Sequence, residues 1–212
     1  MKTNDLIEAL VQDRASPSMP PGTAVLLAVI TGAVIAGILF MIVLGYRPDI
    51  AQAAQTYRFL FKFAVTLTLA ATAIPLVLRV FRPEAVLGRL LWLIALAPAM
   101  LVAAAFAELI VMPPSTWLPR LIGTNARFCL TMIPLLSIAP LLAFFAALRK
   151  GAPANPALAG ALAGLASSAI AATLYAGHCT DDSPFFVIVW YPIAVSLVTL
   201  VGYYAGRRWL AW

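Results

Sequence analysis

Six long apolar runs, separated by short polar breaks, make up most of this chain. They cover residues 23–45, 58–80, 88–112, 127–148, 156–177 and 185–206, each bounded by charge or proline. The breaks are Arg47-Pro48-Asp49, Arg82-Pro83-Glu84, Pro113-Pro114, Arg149-Lys150-Gly151 and the polar stretch from His178 to Pro184. A helix rises ~1.5 Å per residue and the hydrocarbon core of a bilayer is ~30 Å thick, so about 20 apolar residues make one crossing. The pattern therefore predicts an all-α polytopic membrane protein with six transmembrane helices in a single bundle. Residues 1–21 are expected to form an N-terminal tail and residues 22–212 the transmembrane domain.

Composition agrees with this reading, since 63% of the residues are hydrophobic and 10% charged, against roughly half and about a quarter in a soluble domain. Little chain remains for a soluble domain, so chemistry and partner binding fall to the spans, the short loops or the tail. The tail carries Asp5, Glu8 and Asp13 and lacks an apolar core, which argues against a cleavable signal peptide. The net charge of +6 is spread in ones and twos beside the apolar runs rather than along a stripe, so it speaks for topology and not for nucleic acid. With both termini inside, the inner face holds Lys2, Arg14, Arg79, Arg82, Arg89, Arg149, Lys150, Arg207 and Arg208, while Arg47, Arg58, Lys62, Arg120 and Arg127 face outward. The excess of inner Lys and Arg places both termini in the cytoplasm. No internal repeat points to a transporter built from two related halves.

Within the tail, Leu6, Ile7, Leu10 and Val11 share one helical face while Asp5, Glu8 and Asp13 lie mostly on the others. Thr3 or Asn4 suits the N-cap, and Ser16-Pro17-Ser18-Met19-Pro20-Pro21 makes a stiff spacer before the first span. Two readings stand: an interfacial helix on the lipid, which would ordinarily carry Lys and Arg on its polar face, and a partner-binding helix that docks in a groove.

Cys129 and Cys179 are the only cysteines, and the topology puts them at the outer ends of the fourth and fifth spans at similar depth. In an oxidising periplasm such a pair can close a disulfide, restricting a loop of about 50 residues by roughly 4 kcal/mol in the chain-entropy model. Alternatively, Cys129, His178, Cys179, Asp181 and Asp182 offer thiol, imidazole and carboxylate donors to a soft metal such as copper, although no tight ligand spacing is present. Cys129 as a small packing residue and His178 as a cap on the fifth span are the structural alternatives.

Two ionisable residues fall inside the spans. Lys62 lies about one turn into the second and Glu108 about one turn from the outer end of the third, which predicts similar depth and suggests an intramembrane ion pair, with snorkelling of Lys62 as the alternative. The fifth span is built from small residues, with Gly160 and Gly164 at G-x-x-x-G spacing, and packing within the monomer is the preferred use of that face. Pro75, Pro98, Pro134, Pro140 and Pro192 are expected to kink their helices.

The stretch from Ala152 to Gly164, then Leu174-Tyr175-Ala176-Gly177-His178-Cys179 with Asp182-Ser183-Pro184-Phe185, Trp190-Tyr191 and Gly206-Arg207-Arg208, resembles the NrsF family of bacterial six-span membrane anti-sigma factors. The opening Lys2-Thr3-Asn4-Asp5-Leu6-Ile7, the Phe59-x-x-Lys62 element and Cys129 extend the resemblance over the whole chain. It implies a multi-pass protein of the bacterial inner membrane that sequesters an extracytoplasmic-function sigma factor and releases it under metal or redox stress. It further implies that Cys129 and Cys179 sense the signal and that Asp5, Leu6, Ile7, Leu10 and Val11 belong to a sigma-binding element. Such a protein is a regulator in contact with lipid, not an enzyme, has no obligatory cofactor and does not bind nucleic acid directly. The rival readings are a small transporter or channel using Lys62 and Glu108, and a thiol oxidoreductase, against which the lack of a Cys-x-x-Cys pair argues.

Overall fold

The computed structural model of the protein describes residues 20–82 and 87–211. All regular structure among them is helical: α1 (Pro21–Val43), a short α2 (Ile50–Ala53), α3 (Tyr57–Val80), α4 (Leu96–Val111), a short α5 (Trp117–Ile122), α6 (Ala126–Leu148), α7 (Pro156–Ala176) and α8 (Pro184–Trp209). A 3-10 stretch, Gly88–Ala95, precedes α4, and a 3-10 turn, Pro114–Thr116, precedes α5. Six segments are long and apolar enough to cross a membrane: α1, α3, α4 with its 3-10 lead, α6 together with α5 and the turn ahead of it, α7 and α8. The amphipathic helix expected around Asp5, Leu6, Ile7, Leu10 and Val11 lies outside the described residues.

Helix starts follow local chemistry. Pro21, Pro156 and Pro184 stand at the first helical positions of α1, α7 and α8, where the ring fixes a helical φ and no N–H is needed. Thr56, Asn155 and Ser183 cap α3, α7 and α8 by accepting from Phe59, Leu158 and Phe185 backbone N–H groups. The third span departs from the single helix expected over 88–112. Pro98 cannot donate to residue 94 and its ring crowds that carbonyl; the chain accordingly runs as 3-10 through Ala95 and begins α4 at Leu96, with Pro98 in the first turn. By contrast, Pro75, Pro134, Pro140 and Pro192 sit within continuous α3, α6 and α8.

Buried side chains form two layers. One collects Ala24, Val25, Phe81, Phe144, Leu148, Ala159 and Leu210, which brings the start of α1 and the end of α8 to one end of the bundle. The other collects Phe40, Val65, Leu101, Cys129, Tyr175, Cys179, Phe186 and Tyr191 toward the opposite end. The outward faces carry Leu26, Ile30, Ile42, Phe106, Ile110, Leu142 and Leu200 exposed, as helices that meet lipid require.

α7 runs through the middle of the bundle and buries 14 of its 21 residues, the rest being half-buried. Its small residues allow this, because α8 approaches to backbone contact. A Cβ on Gly160 would collide with the Gly202 carbonyl and lie 2.7 Å from Gly206 Cα, and one on Gly164 would lie 2.6 Å from the Val198 carbonyl oxygen. Gly202 and Gly206 repeat the G-x-x-x-G spacing on α8, so the seam is reciprocal and internal to the monomer. The Ser167 hydroxyl, fully buried in α7, donates to the Ala163 carbonyl at 2.6 Å and needs no partner on another helix.

Substituting Gly160→Leu is expected to cost at least about 2 kcal/mol by overpacking against backbone that cannot retreat, read as a lowered melting temperature in detergent. Gly37→Leu, whose Cβ would meet nothing within 4 Å, should leave the melt unchanged.

Candidate functional site: a polar strap over a buried cysteine pair

At the end of the bundle away from α1's start, the seven-residue connection Gly177–Ser183 crosses the mouths of the helices as a strap. Polar groups along it are recruited by several different elements. The Gly177 carbonyl accepts from the Arg47 N–H at 3.2 Å, and His178 Nδ1 donates to the Gly45 carbonyl at 3.0 Å. These two bonds zip the strap to the loop after α1. Asp181 Oδ2 accepts from the backbone N–H groups of Thr124 and Asn125 at 2.9 and 2.7 Å and from Asn125 Nδ2 at 3.0 Å, which fixes the chain just ahead of α6. Gly123 makes that approach possible, since its φ is +60° and a Cβ there would press on the Phe186 ring and the Asp181 carboxylate.

Charge holds the centre of the strap. Lys62 Nζ, with no solvent exposure, lies 2.6 Å from Asp182 Oδ1 and donates to the Cys179 carbonyl at 2.8 Å. Arg47 donates from Nη1 to Asp182 Oδ2 at 2.8 Å and to the same Cys179 carbonyl at 3.3 Å, while its Nε and Nη2 grip Asp49 at 2.7 Å each. The Phe59 ring lies under both cations, 5.6 Å from Lys62 Nζ and 5.8 Å from the Arg47 guanidinium. Two cations and two carboxylates thus balance, which is what a low-dielectric environment demands of buried charge. The bidentate Arg47 holds the Asp49 carboxyl below the usual carboxylate range.

Beneath the strap lie the two thiols. Cys129, in the first turn of α6, and Cys179, in the strap, are both fully buried and unpaired. They share an apolar cluster with Tyr175, Phe186 and Tyr191. The Tyr175 hydroxyl donates to the Asn125 carbonyl at 3.4 Å, and Cys179 Sγ points at the Asp181 carbonyl at 3.7 Å. Burial pushes the Cys179 thiol above its ordinary pKa, against the partial opposition of Lys62. At rest it is a protonated, shielded group and not a standing nucleophile.

A second charged group adjoins the strap. Glu108 is buried, 2.8 Å from Arg58 Nη2 and 3.3 Å from Arg120 Nη1, and accepts from Ser183 Oγ at 2.9 Å. Ser183 also caps α8, so Glu108 helps to fix where the last span begins. α5 is held against the same span by Trp190 Nε1, which donates to the Leu121 carbonyl at 2.9 Å.

Two expectations change. Lys62 and Glu108 do not pair with each other. Arg58 stands one turn nearer the helix start than Lys62 and meets Glu108 first, while the strap folds Asp182 inward onto the deeper Lys62. The five-residue ligand set is also dispersed: His178 is committed to Gly45, Asp181 to the start of α6, and Asp182 to Arg47 and Lys62. Among the described residues no three His, Cys, Asp or Glu side chains are grouped to hold a metal ion. Cys129 and Cys179 do meet in one cluster, as their common depth predicts.

Arg47, Arg58, Arg120, Asn125, Tyr175 and Ser183 were invisible as site residues in the sequence pattern, where the arginines served only to orient the spans. Listing acidic as well as basic residues by depth exposes the three arginines, since Asp49, Glu108, Asp181 and Asp182 fall at the same end as Arg47, Arg58, Lys62 and Arg120; Asn125, Tyr175 and Ser183 leave no such signal.

Replacing Lys62 by Met should cost about 3 kcal/mol, measured as loss of thermal stability in detergent, because Asp182 keeps Arg47 but loses its fully buried partner. Alkylation of Cys179 by a membrane-permeant maleimide at neutral pH should be slower in the folded protein than after denaturation. The raised thiol pKa leaves less thiolate than in a free cysteine, so the rate should climb with pH beyond the range in which an exposed thiol has already ionised.

Comparison with known proteins follows the same outline. A family described as NrsF, negative regulator of sigma F, matches residues 10–212. The chain is 35% identical to the anti-sigma-F factor NrsF of Caulobacter vibrioides (strain NA1000 / CB15N) and 30% identical to the probable anti-sigma-F factor NrsF of Azospira oryzae (strain ATCC BAA-33 / DSM 13638 / PS), each alignment covering the full length of both proteins. No solved structure matches the chain. With the match running from the tail through the strap to the end of the last span, this six-span protein belongs to the NrsF family of negative regulators of sigma F.

Proposed function

We propose that this chain is an anti-sigma factor of the bacterial inner membrane that holds an extracytoplasmic-function sigma factor on its cytoplasmic side and releases it when Cys129 and Cys179 react with a thiol-directed signal. The anti-sigma activity follows from the family and from the names of both relatives. The sensing role has its support in one observation: the two cysteines are buried together under the strap that ties the loop after α1, α3, the start of α6 and the start of α8 into one joint.

The chemistry needs little of the protein. Joining the thiols as a disulfide delivers two electrons and two protons to an oxidant; ligating a soft ion such as copper(I) in two-coordinate fashion displaces the two thiol protons. Either event draws Cys179 toward Cys129. Because the Cys179 carbonyl is the shared acceptor of Lys62 and Arg47, displacing it perturbs the charge clamp and so the packing of α3 against the strap. A change of ~1–3 kcal/mol between two packings suffices to weaken a partner's binding at the far end by 5- to 150-fold. The acidic tail segment with Asp5, Leu6, Ile7, Leu10 and Val11, whose sequence pattern suits a helix, is the proposed contact for the sigma factor, by helix-in-groove docking.

Affinity purification from the host's membranes through a C-terminal tag, followed by mass spectrometry, tests this. A sigma factor should co-purify with the full chain, be lost when residues 2–14 are deleted, and stay bound under thiol-reactive or copper stress when Cys129 and Cys179 are both replaced by Ser. Absence of a sigma factor from the unstressed full-length sample overturns the binding reading. Release from the double-serine variant at the parent's level overturns cysteine sensing and leaves sequestration standing.

A further inference from the structure

On the flank of the bundle, at the strap end, a lateral cavity of about 390 Å³ opens between α3 and α4. Phe61 on α3 faces Ala104 and Ala107 on α4, where two small side chains leave a trough. Exposed Phe106 and Ile110 on α4 and exposed Leu60 and Tyr57 on α3 flank it, so it opens toward lipid and not into the bundle. Its mouth is charged. Arg58 and Glu108 line it, and Arg120 joins them through the shared carboxylate.

Charge at this mouth does not balance. Glu108 is the one acidic partner of both Arg58 and Arg120 among the described residues, in contrast to the Lys62–Arg47–Asp49–Asp182 group, where two cations meet two carboxylates. One positive charge is left over at the strap end of α3 and α4. Each guanidinium spends part of its five-donor fork on Glu108 and remains partly exposed, at 27% for Arg58 and 32% for Arg120. The guanidinium of Arg58 lies 5.9 Å from the centre of the Tyr57 ring, which holds it at the rim.

The geometry points to a binding site for one anionic phospholipid, its phosphate on the free edges of Arg58 and Arg120 and an acyl chain in the trough over Ala104 and Ala107. A phosphodiester carries the single negative charge that the mouth lacks, and guanidinium forks suit phosphate oxygens. The apolar trough beneath selects a lipid over a free anion, because a soluble phosphate gains nothing from Phe61, Ala104 and Ala107. This site is separate from the thiols and does not depend on the anti-sigma reading.

The test uses the full-length protein purified in detergent and its melting temperature with added phosphatidylglycerol, phosphatidylcholine or inorganic phosphate, with bound lipid counted by native mass spectrometry. Phosphatidylglycerol should raise the melt and appear as a one-to-one adduct, and the other two additives should not. Arg120→Gln, which keeps the Arg58–Glu108 pair, should weaken phosphatidylglycerol binding about fivefold, the effect of one cation near an anionic surface. Ala107→Leu fills the trough without touching a charge and should remove the adduct from a protein that still melts cooperatively. Equal stabilisation by phosphatidylcholine, an equal effect of inorganic phosphate, or adducts that persist undiminished in both variants would each overturn the site.

Discussion

A carbonyl oxygen, that of Cys179, receives hydrogen bonds from both a lysine and an arginine that also share the carboxylate of Asp182. Most of the order at this end of the bundle depends on that clamp. Lys62 is buried without solvent contact, and a charge so placed is tolerable only with a partner at contact distance. Once Asp182 is drawn onto Lys62 and Arg47, the residues beside it have little freedom. Asp181 falls on the backbone ahead of α6, Ser183 on Glu108 and the start of α8, and the Cys179 side chain beneath, among aromatic rings. Electrostatic necessity in a low-dielectric medium thereby fixes the position of a side chain that carries no charge of its own.

The two ends of the bundle are held by different physics. Toward the termini, α7 and α8 meet backbone to backbone through Gly160, Gly164, Gly202 and Gly206, a contact maintained by dispersion and shape, with no polar group to titrate or oxidise. At the other end the contacts are hydrogen bonds and ion pairs made by loops. A packed glycine seam offers no second arrangement of similar energy, whereas a strap held by several separate polar contacts can exchange one set of partners for another. The two cysteines lie at the adaptable end and not at the seam.

Glu108 links the strap to the lipid-facing flank. It holds Ser183 on one side and two partly exposed arginines on the other, so the start of the last span is referred both to the strap and to the membrane surface. Through its neighbouring Asp182 and Ser183 the strap thus meets two separate charge groups, one balanced around Lys62 and Arg47 and one around Glu108 with an excess cation.

The number and placement of the spans were legible in the sequence because crossing a bilayer requires about 20 apolar residues and charge or proline marks where each crossing stops. The burial of Cys129 and Cys179 in one cluster was legible too, through their common depth, as was the internal use of Gly160 and Gly164. The split of the third span at Pro98 was recoverable in principle from proline's missing N–H. What no linear pattern contained was the choice of partner. Lys62 and Glu108 share a depth, and depth alone pairs them; the actual pairing is decided by which way each helix faces and by how a seven-residue strap folds back over the bundle mouth. The same folding sends His178, Asp181 and Asp182 to three different elements although they lie within five residues of one another. Sequence sets the depth of a residue in a membrane, because hydrophobicity does; azimuth around the bundle is set by helix packing, and that is a property of the tertiary structure alone.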